Sequence, residues 1–479
     1  METLQRTANR GSLSTGYDVD NSLKFESDNS EYVERTQGTP DSRKTGSVSF
    51  WIKRTEISTS SVQFAFEAGN TDNDNGRIFL RFQTDDTLRI AGGSTVFRQT
   101  SQVFRDTSAW YHILFVMDTT QSTADDRIKL YVNGSQVTDF GTKNNFSQND
   151  LTGINYQKLS WGRSHVDSGS YSNMYLAEAV TLDGVAASPT DFGEFDSDSG
   201  IWIPKDLSNL TFGSEGTYLD FSSSSDLGND VSGNNNDFGT LGNIAAADQA
   251  TDTPTNNFCT MNINFKTNDN IVVSEGQTKV TCGSGTGWLS NVGTFALTKG
   301  KWYWELASVT SVYQIFGIAD ASDSIIPQAA GGYYVGYGSN DTTLSVGMYM
   351  VNGSIYGNQD GGSGVGISPS AVGDVYGVAL DLDNLGFYII RNGVSPSGSD
   401  PSSGSSLTGA VTWNDSIYSG FYYPAVSVFQ GNGLEMNFGG YTSNPIASAA
   451  SDANGYGNFE YAPPSGYYAI CTKNLAEYG

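Results

Sequence analysis

Apolar and polar positions are most tightly ordered at 372–393, VGDVYGVALDLDNLGFYIIRNG. Val375, Tyr376, Val378, Ala379 and Leu380 form a nearly continuous apolar run ending at Asp381. Such a run suits a strand covered on both faces. After a polar crossing comes a second run, Phe387 to Ile390, closed by Asn392-Gly393. Both residues of Asn-Gly tolerate the positive φ of a type I′ turn, so the pair predicts a hairpin. A hairpin this apolar needs further strands around it.

The N-terminal half follows the same logic. GSVSFWIKRT (46–55) puts Val48, Phe50 and Ile52 on one face. FAFEAG (64–69) and RIFLRFQTDD (77–86) flank the turn-rich NTDNDNG, and WYHILFVMD (110–118) follows. In RIKLYVNGSQV (127–137), Ile128, Leu130 and Val132 alternate with Arg127, Lys129 and Tyr131, and Asn133-Gly134 makes the turn. One face is buried and one is wet. LSWGR (159–163) and MYLAEAVTLDGVA (174–186) complete the set. No long amphipathic helical pattern and no long internal period occur, which predicts an all-β chain and excludes solenoids and propellers.

These stretches carry two resemblances. GKWYWELASV (300–309), FGIAD (316–320), VGDVYGVALDLD and YYPAVSVFQGNGLEMNFG (422–439) resemble, in order, the motifs of the SPRY domain. The resemblance implies a bent antiparallel two-sheet sandwich that binds through loops and lacks catalytic machinery. SFWIKRT, WYHILFVMD, RIKLYVNGSQV and LAEAVTLDGVA resemble the laminin-G-like branch of the concanavalin A-like sandwiches. That implies two stacked antiparallel sheets, often carbohydrate-binding and sometimes calcium-dependent. The expected organisation is a tail at 1–21, a laminin-G-like sandwich at 22–195 and an ordered irregular connector at 196–257. A SPRY-like sandwich at 258–441 and an extension at 442–479 follow. With its DTPTNNF connector and its ending YGNFEYAPPSGYYAICTKNL (456–475), the whole chain resembles virion structural proteins of tailed bacteriophages. The implied role is a virion surface fibre or appendage that grips a host glycan or receptor. The implied protein is a homo-oligomer, anchored to other virion proteins by its tail, assembled in the host cytoplasm and released by lysis. A purely structural decorating protein and a glycan-degrading enzyme are the alternatives.

Charge narrows the partners. The 479 residues hold 25 Lys plus Arg against 51 Asp plus Glu, a net charge of −26, so phosphate backbones are repelled and nucleic acid is not an expected partner. METLQRTANRGSLSTGYDVD lacks the apolar centre of a signal peptide, and no apolar run is long enough to cross a bilayer, so no membrane insertion is expected. Cys259, Cys282 and Cys471 leave two readings open: a Cys259–Cys282 disulfide, or buried thiols of a protein folded in a reducing cytosol.

Catalytic chemistry is sparse. His112 and His165 are the only histidines, and no G-x-S-x-G accompanies them, which excludes a three-His metal site and argues against a triad. Glu194-Phe195-Asp196-Ser197-Asp198 is superficially similar to the E-x-D-x-x-E strand of concanavalin A-like glucanases, but the final Glu is missing. Asn70, Asp72 and Asp74 offer oxygen ligands, yet Arg81 stands where an EF-hand needs its Glu. An Asx-rich turn is the reading, as for Asp226, Asp230 and Asp237. No catalytic residue, cofactor or metal is expected. Binding residues are: Tyr333, Tyr334, Trp413, Tyr418 and Tyr422 fall in or beside SPRY-like loops. Exposed aromatics stack on sugar rings or anchor protein contacts, and the competing reading makes them core or rim.

Overall fold

A computed structural model describes residues 16–70, 76–167, 169–265, 270–284, 287–323, 334–337, 344–357, 370–413, 416 and 418–479. The expected anchoring residues 1–15, the candidate ligands Asp72 and Asp74, and Tyr333 lie outside the described residues. The fold is nearly all-β, with 41% strand and 6% helix. The chain divides into two compact units between Thr255 and Asn256.

The first unit is two stacked antiparallel sheets. One runs in the order Ser135–Gln136, Ile128–Val132, Tyr111–Asp118, Thr45–Arg54, Met174–Asp183, Ser22–Phe25, Gln249–Ala250, and Thr217–Leu219 also pairs with Met174–Asp183. The other runs Phe140–Lys143, Thr95–Val103, Thr87–Gly92, Arg77–Phe82, Gln63–Gly69, Lys158–Trp161, Tyr32–Thr36, Thr240–Gly242. Val48, Phe50 and Ile52 face the core, as their alternation predicts. There Trp161 takes Phe50 edge-on at 5.3 Å and Phe66 at 5.0 Å. At the predicted turn Asn133 has φ 46° and Gly134 φ 74°, the left-handed pair a type I′ turn requires.

The segment read as a connector is built into this unit up to Thr255. Residues 217–219, 240–242 and 249–250 extend both sheets. Phe192, Leu207, Phe212 and Tyr218 cover Leu114, Val116, Val180 and Leu182 on the outer face of the first sheet. The segment's Ser-, Asn-, Asp- and Gly-rich composition suggested an irregular connector, and not all of its acids face solvent. Several are buried ion-pair partners: Asp252 with Lys53 at 2.7 Å, Asp248 with Lys24 at 3.0 Å and Glu215 with Arg35 at 3.1 Å.

The second unit repeats the two-sheet plan. One sheet runs Ile271–Ser274, Lys279–Cys282, Gly433–Asn437, Lys301–Ser308, Val375–Asp381, Gly386–Arg391, Val411–Thr412. The other runs Trp288–Val292, Tyr422–Phe429, Gln314–Asp320, Ser345–Tyr349, Ser354–Gly357. The continuous run at Val375–Asp381 is covered on both sides. Tyr376, Val378 and Leu380 enter the core with Trp302 and Trp304, while Ala379 packs with Tyr303, Tyr388, Phe459 and Tyr467. The residues read as an extension therefore form a second layer. Tyr468–Ala469 adds a parallel pairing to Lys301–Ser308, and Thr472–Tyr478 forms a short helix. Asn392 (φ 48°) and Gly393 (φ 74°) close the predicted hairpin. All three cysteines are buried free thiols, and burial pushes the Cys471 thiol up to about 12.

Candidate functional site

The histidines are held as structural groups. His112 is fully buried on Tyr111–Asp118. Trp202 Nε1 donates to His112 Nδ1 at 3.1 Å, and Ser49 Oγ lies 2.9 Å from Nε2. An indole N–H only donates, so Nδ1 accepts and Nε2 carries the proton. Burial lowers the imidazole to about 3. In the His165 loop, Nδ1 lies 2.7 Å from Ser160 Oγ and Nε2 faces the Gly69 carbonyl. Glu67 accepts from the His165 backbone N–H and from Arg77. Serine and carboxylate both approach the Nδ1 side, which is not a triad arrangement.

The acidic candidates organise turns. Glu194 is exposed on the short strand Gly193–Phe195, while Asp196 caps its own loop through Ser199 N at 2.6 Å. Asp230 accepts from the backbones of Tyr218 and Asn236, each at 2.8 Å, and Asp237 accepts from Asp230 N at 2.9 Å. Among the described residues no group of three or more His, Cys, Asp or Glu is placed to hold a metal ion.

The predicted aromatics separate. Trp413 and Tyr422 are core side chains, each 2% exposed. Trp413 meets Tyr422 at 5.7 Å and Phe387 at 6.3 Å, while half-buried Tyr418 lies 5.5 Å from Tyr422. Burial raises the Tyr418 hydroxyl well above the usual phenol value. Strand alternation is the reason: Tyr422, Val426 and Val428 point into the core, leaving Tyr423, Ala425 and Phe429 on the opposite face. Trp413 and Tyr422 thus offer no open ring face.

Tyr334 lies elsewhere, on the outer face of the five-stranded sheet. Alternate positions of its strands supply Trp288, Val292, Ile315, Ala319, Tyr349, Tyr356, Tyr423 and Ala425. No charged residue occupies that set. Small residues leave room at the centre, and a Cβ on Gly347 would come within 2.8 Å of Val335 Cγ1. The stretch Tyr334–Tyr337 is fastened over this floor: Val335 N donates to Ser427 Oγ at 2.9 Å and Gly336 N to Ser345 Oγ at 2.8 Å. Around half-exposed Trp288 stand Phe429 at 5.1 Å, Tyr334 at 5.3 Å and Tyr349 at 5.9 Å. Tyr356 lies 5.7 Å from Tyr334, and exposed Tyr337 5.1 Å from it. Burial, with neighbouring tyrosines adding to it, raises the Tyr334 and Tyr349 hydroxyls, so both stay protonated at neutral pH. The face presents flat apolar rings with neutral hydroxyl donors. It is equipped to grip, through stacking and hydrogen bonds.

Six of these rings, Trp288, Tyr337, Tyr349, Tyr356, Tyr423 and Phe429, were not singled out from sequence. For Tyr337, Tyr349 and Tyr356 the usable signal was Tyr and Gly density across 331–357.

Comparison with known proteins agrees at the level of fold. Residues 11–183 match the family described as the concanavalin A-like lectin/glucanases superfamily. The chain is 33% identical over 149 residues to the E3 ubiquitin-protein ligase RKP of Arabidopsis thaliana. That match takes in 30% of this chain and spans a tenth of RKP. Among solved structures, the SPRY domain of human HERC1 is similar at 15% identity and TM-score 0.28, covering 37% of this chain and 96% of that domain. The PSpry domain of TRIM65 is similar at 14% identity and TM-score 0.27, covering 37% and 91%. Residues 11–183 are thus similar to the concanavalin A-like family, and SPRY domains are among the solved structures that the chain is similar to.

Proposed function

We propose that this chain is a non-catalytic carbohydrate-binding protein whose glycan platform is the outer face of the second unit's five-stranded sheet. The observation that carries the reading is the uncharged cluster of half-exposed rings around Trp288. Sugar rings present a C–H face to an aromatic plane and hydroxyls to phenol donors, and both are supplied without charge. The lectin-type match of the first unit supports the same class of ligand. The wider role is attachment at a virion surface, with repeated copies multiplying a weak site and residues 1–21 fastening the protein to other virion proteins. That role rests on the sequence resemblance, and immunogold labelling of particles tests it.

The platform is tested by binding of the full chain to a glycan array, followed by titration of the best glycan into wild type and Trp288→Ala. The expected result is a loss of about tenfold or more, as for the loss of a central aromatic anchor. Equal affinity of the two proteins, or no glycan bound at all, refutes the platform.

A further inference from the structure

Separate stretches of the second unit converge on a cleft of about 600 Å3 that shares no residue with the aromatic face. That volume falls within the ~300–1,000 Å3 of small-molecule sites. Tyr468 and Tyr478 stack face to face in its lining, with centroids 4.0 Å apart and planes 9° apart. Gly300 adopts φ 85°, and a side chain there would come within 2.7 Å of the Tyr478 carbonyl, so glycine lets the backbone at Tyr478 approach closely. Lys299, Lys301, Asp383 and Ser402 supply the polar lining.

Its two lysines face one carboxylate in the lining and a second, Asp381, buried behind it. Lys301 is paired with Asp381 at 2.8 Å, and its ammonium lies 5.5 Å from the Tyr467 ring centre. Asp383 Oδ1 accepts from Gly300 N at 2.8 Å, which leaves its second oxygen with acceptor capacity. Lys299 is exposed. An anionic ligand needs an excess of positive charge, above all on a chain of net charge −26, and these two lysines are matched by two aspartates. What the cleft offers is an ammonium donor, a carboxylate acceptor, a hydroxyl and a flat aromatic wall. That set is complementary to vicinal hydroxyls on an uncharged ring.

We propose that this cleft is a second, independent site for a neutral sugar of one or two hexose units. The tyrosine pair takes the ring's C–H face, and Lys299 with Asp383 shares its hydroxyls. The test titrates the full chain with the methyl glycosides of glucose, galactose and mannose, by saturation-transfer NMR and calorimetry. At least one glycoside is expected to bind, and in the Trp288→Ala protein, where the aromatic face is disabled, Lys299→Ala and Tyr478→Ala are each expected to weaken the remaining binding about tenfold or more. Lys299 is exposed, so its variant folds even where the Tyr478 variant disturbs the helix. Failure of all three glycosides to bind overturns the proposal. So does binding that Lys299→Ala leaves unchanged in the Trp288→Ala protein, or binding that Trp288→Ala alone abolishes, which assigns the sugar to the aromatic face. Loss of glycan binding at the platform leaves this cleft's result untouched, so the two readings fail separately.

Discussion

Glu178→Gln tests the most exposed consequence of the first unit's packing. Glu178 sits at a bulge in Met174–Asp183, where the register shifts between Ala177 and Val180 and Glu178 itself takes φ 49°. Its carboxyl is buried and accepts from Tyr218 Oη at 2.8 Å and Tyr17 Oη at 3.4 Å. Burial, with Asp220 and Asp206 adding to it, raises the group from 4.5 to about 7. The folded state therefore holds this proton more tightly than the unfolded chain. Between about pH 4.5 and pH 7 folding takes up a proton, so the stability conferred by the neutral carboxyl is present at low pH. It is lost as pH rises through 7. A shift of that size corresponds to roughly 3 kcal/mol of penalty above pH 7. Gln keeps the carbonyl acceptor for Tyr218 and cannot ionise. Calorimetric unfolding of wild type and Glu178→Gln at pH 5 and pH 8 reads the difference. The variant is expected to match wild type at pH 5 and to melt several degrees higher at pH 8, given a unit of this size. An equal shift at both pH values, or none at pH 8, refutes the assignment. Other raised carboxyls, such as Glu31 and Glu305, are common to both proteins and cancel.

Asp252→Asn leaves the buried Lys53 ammonium without its 2.7 Å partner. It is expected to destabilise the first unit by about 3–5 kcal/mol, as breaking a buried pair does, read as a lowered melting transition. Gly134→Ala forces a Cβ to within 2.3 Å of the Trp202 ring at φ 74°. The unit should lose roughly 1 kcal/mol or more, with a change in tryptophan emission, and unchanged stability would show that the turn relaxes freely. His112, held down to about 3 by burial, should keep its Nε2–H tautomer from pH 5 to pH 8 in long-range 15N NMR. A midpoint near 6.5 would refute its burial.

How much of this was legible depended on the scale of the signal. Asn133-Gly134 and Asn392-Gly393 act over two residues, and both form the turns that their φ freedom predicts. The run at Val375–Asp381 reads as a strand covered on both sides because its composition reports its surroundings directly. The segment from 196 to 255 was less legible. Its acids look like solvent-facing residues, and only the fold brings Lys53 to Asp252 and Lys24 to Asp248. A carboxylate's partner some 200 positions away leaves no local pattern.

The aromatic face shows why a binding surface is harder to read than a turn. Tyr422 and Tyr423 are adjacent, and any composition-based choice treats them alike. In a strand, neighbours point to opposite faces, so one enters the core and the other lines the outer face. Choosing between them requires the register, which is set by pairing: Tyr422 opposite Asp320, Tyr423 opposite Ala319. A one-residue slip would exchange the two faces along the whole strand. It would bring Ala425, Ser427 and Phe429 inward and turn Val426 and Val428 out to solvent. The apolar alternation of Val426 and Val428 forbids that slip, and so fixes which aromatics remain for a ligand. The core residues thus select the binding residues: the valines that must be buried decide that Phe429, and with it Trp288, faces outward.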